Sequence, residues 1–416
     1  MAKKYLSTLK VSAGLFSAIL IVLLANGLPA NAQTVSTETK DQGLQISLLI
    51  SSPSTEAVYT RYGHVAFRIL NPVQGTDIAY NYGMFDYNEP NFILRFVRGE
   101  TDYYVEALYT SYYVEEYLRS GRGIVELVLN LTQEEIEKAE RYLAWNIRPE
   151  NKRYRYNIFY DNCATRLIEI IKETTGATLQ IPHEGEERKK WRQLIDECCT
   201  DAPWVKFGID LALGAKTDTY ANPEEQLFLP NRMLDLLPRT TLLYPNGRST
   251  PLIRDTKEWF PAKPASMEPA EEGWPTPLLA SIALLIVSIA VAVWDVRRKD
   301  ICYVYDSILL AIMGLSGCVI FILSFFSEHP HTNPNYNLFL LHPLHLLIGL
   351  PLTVVPLFHR AGFVYHFINF AELSLIGLAI WFLPQQVVLP LYVAGIALWL
   401  LSARWILVNR WRKNVR

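Results

Sequence analysis

Apolar residues fall into two regimes along this 416-residue chain. Up to residue 257 they come in short alternations and one-turn repeats, whereas from residue 277 onward they gather into long blocks. Five blocks, 277–294, 305–326, 337–356, 364–383 and 387–406, are each about 18 to 22 residues long. At about 1.5 Å of helix rise per residue, each is long enough to cross a hydrocarbon layer about 30 Å thick. The pattern predicts an all-α domain of five membrane-spanning helices over residues 277–416.

The first regime predicts an α+β domain over residues 33–257. Residues 44–50 read as a buried strand. Over 64–70, Val65, Phe67 and Ile69 share one face while His64, Ala66 and Arg68 share the other, the period of a strand. Asn71-Pro72 and Gly75 mark a turn, so that 78–82 begins a strand returning beside the first. Aromatics crowd residues 92–117, among them Tyr103, Tyr104, Tyr109, Tyr112, Tyr113 and Tyr117. Core packing is the plainer expectation for them and a groove that accommodates lipid the sharper one. A further strand is expected at 123–129, with Val125, Leu127 and Leu129 inward, and Thr132 with Glu135 forms a capping box for an amphipathic helix reaching about residue 147. After Cys163, Ala164, Leu167, Ile168 and Ile171 recur at one-turn spacing until Gly176, so Asn162 or Asp161 caps a helix with Cys163 in its first turn. A helix is expected at 205–213, and Phe228-Leu229-Pro230 precedes an amphipathic segment, 232–237, read as a lid or packing layer.

The ends and the linker give the chain a direction. Lys3, Lys4 and Lys10 precede an apolar run at 11–24, and Ala30-Asn31-Ala32 has the small-x-small pattern of a signal-peptidase site, so residues 1–32 read as a removed secretory signal. Five prolines between Pro261 and Pro277 mark a linker, assigned to 258–276, that does not hold regular structure. Arg297, Arg298 and Lys299 follow the first block, Arg360 the third, and Arg410, Arg412, Lys413 and Arg416 the fifth, while the other two loops carry no Lys or Arg. That asymmetry puts the basic loops and the carboxy terminus in the cytoplasm of an inner-membrane, multi-pass protein with a periplasmic amino-terminal domain. Arg404, near the end of the fifth block, is expected to snorkel to the same side.

A formal net charge of −2 offers no basic surplus to attract nucleic acid. Of five cysteines, Cys163, Cys198 and Cys199 lie in the exported part; a Cys198–Cys199 bridge is conceivable but strained, because adjacent Cα atoms are only about 3.8 Å apart. No Cys/His spacing matches a zinc site, and the chemistry read here needs no cofactor. The outward loop Ser327-Glu328-His329-Pro330-His331, with His342 and His345 beyond it, holds four of the eight histidines; capping of helix ends and contact with substrate are both open for them. A cysteine in the first turn of a helix meets unpaired N–H groups and the positive end of the helix dipole, which lower its pKa from about 8.5. Nucleophilic attack needs, besides the thiol, an imidazole to take its proton and a polar group to orient that imidazole. His64, opening a strand about a hundred residues earlier, is the candidate base, and the backbone N–H of Cys163 a candidate oxyanion donor.

Histidine before cysteine, with His beginning one strand, a polar residue on the next and Asn-Cys opening the core helix, resembles the circularly permuted papain-like (NlpC-like) group that includes the lecithin retinol acyltransferases. That resemblance implies Asn81 as the orienting residue, with Asp77 or Tyr80 as rivals. Tyr62-Gly63-His64, Asn81-Tyr82-Gly83-Met84-Phe85-Asp86, Asp161-Asn162-Cys163-Ala164-Thr165, Phe228-Leu229-Pro230 and Ser327-Glu328-His329-Pro330, followed by further spans, resemble the Lnb family of lipoprotein N-acyltransferases. What this resemblance implies is transfer of an acyl chain from a membrane phospholipid to the α-amino group of a diacylglyceryl-modified cysteine of a lipoprotein, through a thioester on Cys163. Tyr62, Asn162, His329 and His331 are the substrate-contact residues expected from the same motifs. The alternatives are a periplasmic cysteine hydrolase of cell-wall peptide or lipid, and an inactive papain-like binding module.

Overall fold

The structure, a computed structural model, describes residues 43–182, 188–263 and 275–414; the expected leader at 1–32 and most of the linker lie outside them. Its elements are β1 (Gln45–Ser51), β2 (His64–Asn71), β3 (Thr76–Met84), α1 (Phe92–Arg98), β4 (Asp102–Tyr109), α2 (Thr110–Arg119), β5 (Ile124–Leu129), α3 (Gln133–Asn146), β6 (Arg153–Arg155) and α4 (Cys163–Thr175). Then follow β7 (Thr178–Gln180), α5 (Trp191–Glu197), α6 (Pro203–Ala212), α7 (Pro230–Leu236), β8 (Thr241–Leu243), β9 (Ser249–Pro251) and β10 (Ile253–Phe260). The helical half comprises α8 (Pro277–Arg298), α9 (Tyr303–Phe325), α10 (Leu350–Val354), α11 (His359–Ala379) and α12 (Leu389–Asn414).

A seven-stranded antiparallel sheet in the order β10-β5-β1-β2-β3-β4-β6 forms the frame, beside a small sheet β7-β8-β9. The alternation in β2 puts Val65, Phe67 and Ile69 into a core shared with Ile136, Ala139 and Leu143 of α3 and Leu167, Ile168 and Ile171 of α4. The opposite face, expected to be the polar one, is also covered: Ala66 packs with Leu49 and Ala79 beneath Tyr113 and Tyr117 of α2. Arg68 on that face is accommodated by Asp77 (2.8 and 2.7 Å) and Glu126 (2.7 Å), which supply the partners its burial requires. The capping box of Thr132 and Glu135 opens α3, and Gly176 in the left-handed region (φ 63°) ends α4. Residues 258–260, assigned above to the linker, complete β10 by pairing with β5.

Among the described residues four apolar helices, α8, α9, α11 and α12, are long enough to cross a membrane. The third expected span, 337–356, is not one helix but a broken run: a 3-10 turn at Tyr336–Phe339, a π turn at His345–Gly349 and the short α10. Pro343, Pro351 and Pro356 each withhold a backbone donor there, and hydropathy reads apolar content without seeing that. Side chains compensate in part: His345 Nε2 lies 3.3 Å from the Leu340 carbonyl and Thr353 donates to the Gly349 carbonyl at 2.7 Å. Arg404 does not snorkel either. It is 2% exposed and clamped between Asp295 (2.6 Å) and Asp306, whose other oxygen accepts from Trp405 at 2.7 Å.

The two halves lie within one compact unit, Gly43–Arg416, and the loop after α9 joins them. Asn335 donates to the carbonyls of Leu211 and Ala212 (2.9 and 3.1 Å), and Ala215 N–H donates to Pro334 (2.8 Å). On the soluble side this seam is stiffened by Arg192, 1% exposed, which holds Asp210 (2.8 Å), Asp218 (3.0 Å) and the carbonyls of Leu213 and Gly214.

Candidate active site

Asn162 caps α4 and so sets where Cys163 stands. Its Oδ1 accepts the N–H groups of Ala164 (2.8 Å) and Thr165 (3.0 Å), and its Nδ2 donates to the carbonyls of Ile158 (2.8 Å) and Phe228 (2.9 Å). With that capacity used internally, Asn162 seats the cysteine rather than offering itself to a substrate. The Phe228-Leu229-Pro230 motif, just ahead of the segment read above as a lid or packing layer, closes the same corner. Phe228 receives the Asn162 bond, and Pro230 packs against Gly63, the residue before His64.

Cys163 and His64 both lie against Gly83. A Cβ placed on Gly83 would lie 3.6 Å from Cys163 Cβ and 3.7 Å from His64 Cε1, so the two side chains are no more than two ordinary contacts apart. Gly83 holds φ +91°, a conformation an L side chain resists, and its bare Cα leaves the approach to both residues open. The backbone N–H of Val65, next to His64, also acts on the sulfur, which ties the start of β2 to the start of α4.

His64 Nε2 lies 2.6 Å from Asn81 Oδ1, while Asn81 Nδ2 donates to Met84 Sδ at 3.1 Å. That network assigns the Nε2–H tautomer and leaves Nδ1 as the ring's basic atom. Of the rivals to Asn81, Asp77 is taken by Arg68 and by Thr110 (2.6 Å), and Tyr80 belongs to the core. Behind the imidazole the Tyr117 ring stacks at 6.4 Å, and the Arg122 guanidinium lies over Tyr117 at 4.6 Å. Arg122, itself buried, donates to Ser52 O (2.8 Å) and Ser51 Oγ (3.1 Å). Neither Arg122 nor Tyr117 was legible as a site residue, since no local motif marks them and only the pairing of β1 with β5 brings them here.

The electrostatics reverse the expectation of a lowered cysteine pKa. The N–H groups of Val65, Ala164 and Cys163 itself and the charge of Arg122 all favour the thiolate, yet burial outweighs them and pushes the Cys163 thiol up to about 11. Burial likewise lowers His64 to about 4, with the Arg122 charge adding to it and the Asn81 bond opposing it. Both residues remain half-buried rather than sealed, which tempers both shifts. The resting pair is therefore a neutral thiol beside a neutral imidazole.

The remaining candidates do not converge on the sulfur. Tyr62 directs its hydroxyl to Cys199 Sγ at 3.9 Å. Cys198 and Cys199 are both free thiols, so the strained bridge between neighbours is not formed. His331 is buried among Phe159, Tyr160 and Trp191 and bonded to Tyr160 Oη at 2.7 Å, pinning the membrane half to the segment just before α4. His329 bonds the Phe96 carbonyl at 2.7 Å, on α1. A cavity of about 370 Å³ lies along another face of α4, lined by Tyr160, Lys172, Trp191 and Glu224, and the sulfur is not part of its lining.

An α+β domain with a cysteine at a helix start, a histidine at a strand start and an asparagine beside the imidazole, joined to apolar helices, defines a membrane protein. The amino-terminal part matches the Lnb N-terminal periplasmic domain over residues 32–197, and the carboxy-terminal part matches the Lnb transmembrane domain over residues 269–413. The chain belongs to the Lnb family, of the lipoprotein N-acyltransferase type, and its amino-terminal domain is periplasmic. No curated protein and no solved structure matches it.

Proposed function

We propose that this protein is a lipoprotein N-acyltransferase of the inner membrane that carries an acyl chain on Cys163 between a membrane phospholipid and the α-amino group of a diacylglyceryl-cysteine lipoprotein. The observation that carries the reading is that Cys163 and His64 both lie against Gly83, with Asn81 bonded to Nε2 of the imidazole, in a chain of the Lnb family. Cys163 Sγ attacks the ester carbonyl as His64 Nδ1 takes the thiol proton, and the oxyanion gathers at the N–H of Cys163, which lies outside the helical ladder. Collapse breaks the ester C–O bond; the glycerol oxygen leaves with the proton from His64, and a thioester remains. The lipoprotein amine then attacks the thioester, His64 takes the amine proton, and the departing sulfur recovers it. The amide forms, and the enzyme returns to its neutral pair.

Incubating purified protein with phospholipid in the absence of acceptor is expected to leave a hydroxylamine-sensitive acyl mass on the Cys163 peptide. Absence of that mass, with free fatty acid released instead, would favour a hydrolase; absence of both would favour a binding module.

Two further outcomes are expected. Asn81→Ala should lower kcat by roughly a hundredfold with little change in KM, because the imidazole loses the acceptor that selects its tautomer, and Asn81→Asp, which keeps an acceptor, should restore part of it. Equal activity of Asn81→Ala and wild type would remove Asn81 from the mechanism. A reporter active only in the periplasm, fused after Arg416, should stay silent, since the basic loops after the first, third and fifth apolar blocks put the carboxy terminus in the cytoplasm. A bright fusion would reverse the orientation.

A further inference from the structure

α1 joins a mostly apolar sequence, broken by Arg95 and Arg98, to almost no cover. None of its residues is buried, and Ile93 (78% exposed), Leu94 (57%) and Phe96 (44%) face outward. Its position is set by the membrane half. Ser327 Oγ donates to the Val97 carbonyl (2.7 Å), Glu328 N–H donates to Arg98 O (2.8 Å), and His329 Nε2 bonds Phe96 O (2.7 Å). Three of the last four carbonyls of α1 are thus bonded by the loop that follows α9, Phe96 O also accepting the Gly99 N–H. Gly99 permits the approach, since a Cβ there would come within 3.0 Å of His329 N and within 3.2 Å of Glu328. Phe325 and Phe326, exposed at the end of α9, stand immediately before that loop, so the open apolar surface of the spans continues onto α1.

From α1 a row of rings leads to the cysteine. Phe96 stacks on Phe92 (6.4 Å, 16°) and Phe92 on Phe85 (5.6 Å, 22°). Phe85 stands two residues beyond Gly83, the glycine against which Cys163 and His64 both lie. Tyr59 and Tyr87, both exposed, flank Phe85 edge-on at 5.8 and 4.6 Å. The acidic and basic residues nearby pair among themselves, Arg95 with Glu89 (2.7 Å) and Arg98 with Glu100 (2.5 Å), which leaves the outer face of α1 without an unpaired charge from these residues.

We propose that α1 lies in the periplasmic leaflet of the bilayer, and that Phe96, Phe92 and Phe85 form a lane along which one acyl chain of a leaflet phospholipid runs from the membrane to Cys163. The chemistry of the occupant follows from the surface: an apolar face whose arginines are ion-paired and which is contiguous with membrane-spanning helices takes hydrocarbon, and aromatic rings suit the boundary between headgroup and chain. The lane rests on the acyl-transfer reading; the seating of α1 does not.

The test uses the full chain in nanodiscs made with a phospholipid that carries a diazirine in one acyl chain. After irradiation, adducts are expected on the peptides spanning 85–98 as well as on those of α8 and α9. Adducts confined to the long helices would overturn the seating of α1. In parallel, acylation of Cys163 is measured from bilayer phospholipid and from a water-soluble short-chain ester. Phe92→Ala with Phe96→Ala, and separately Ile93→Glu with Leu94→Glu, should lower the ratio of phospholipid to ester acylation by roughly tenfold or more. An unchanged ratio overturns the lane. A wild-type protein acylated by neither donor would end the acyl-transfer reading and the lane with it, while the photolabel still decides where α1 lies.

Discussion

Cys163→Ser is expected to fold, to insert and to transfer no acyl chain, with kcat down by at least roughly a thousandfold. The hydroxyl keeps the position under Gly83 but not the acidity: the thiol already stands at about 11 because it is buried, and a hydroxyl in the same site is a far weaker acid. Loss of the hydroxylamine-sensitive mass should accompany loss of transfer. His64→Ala should reduce both formation and onward transfer of the acyl group, by roughly a hundredfold or more, since the same nitrogen takes the proton in each half-reaction. The pH profile separates this from a merely structural histidine. Only the unprotonated imidazole accepts a proton, and burial lowers His64 to about 4, so kcat/KM is expected to hold through neutral pH and to fall as pH drops toward about 4. An acid limb near 6.5 would show that substrate meets a charged, solvated histidine instead. Full N-acylating activity in Cys163→Ser would end the thioester mechanism.

Arg404→Met is expected to destabilise the helical half by about 3–5 kcal/mol, read as a large drop in the thermal unfolding midpoint of detergent-solubilised protein. The substitution keeps most of the volume and removes the cation shared by Asp295 and Asp306, leaving two buried carboxylates to face each other with no counterion. Asp295 also accepts the Cys302 N–H (2.8 Å) and so fixes the turn between α8 and α9, which links the cluster to helix geometry as well as to charge. Combining Arg404→Met with Asp295→Asn and Asp306→Asn removes the charge imbalance and keeps acceptors for Cys302 N–H and Trp405 Nε1, so more than half of the lost stability should return. A midpoint for Arg404→Met equal to wild type would mean that the cluster contributes nothing to folding.

The broken third span shows how far hydropathy reaches. The pattern counted five apolar blocks, and the blocks are present, but Pro343, Pro351 and Pro356 turn the third into short helical pieces packed against α9 and α11. Average hydropathy sums side-chain transfer and says nothing of missing backbone donors. Arg404 illustrates the converse. Near a helix end it reads as an exposed, snorkelling cation, and only the convergence of α8, α9 and α12 brings Asp295 and Asp306 to it.

The sequence by itself determined the local frame of the site: β2 opening at His64, α4 opening at Cys163 under a cap narrowed to Asn162 or Asp161, and the box of Thr132 and Glu135, because period, caps and turn residues act over a few positions. It also carried the motifs shared with the Lnb family. The tertiary structure decided what lies at long separation. It brought Asn81, and no other candidate, to the imidazole, put Arg122 and Tyr117 behind it, and made Phe228 the acceptor that holds the cap of α4. It also set the protonation of the pair, since a helix start lowers a cysteine pKa locally while the desolvation that raises it comes from burial against a core drawn from distant parts of the chain. Long-range pairing and burial are collective properties of the packed chain, and no window of residues contains them.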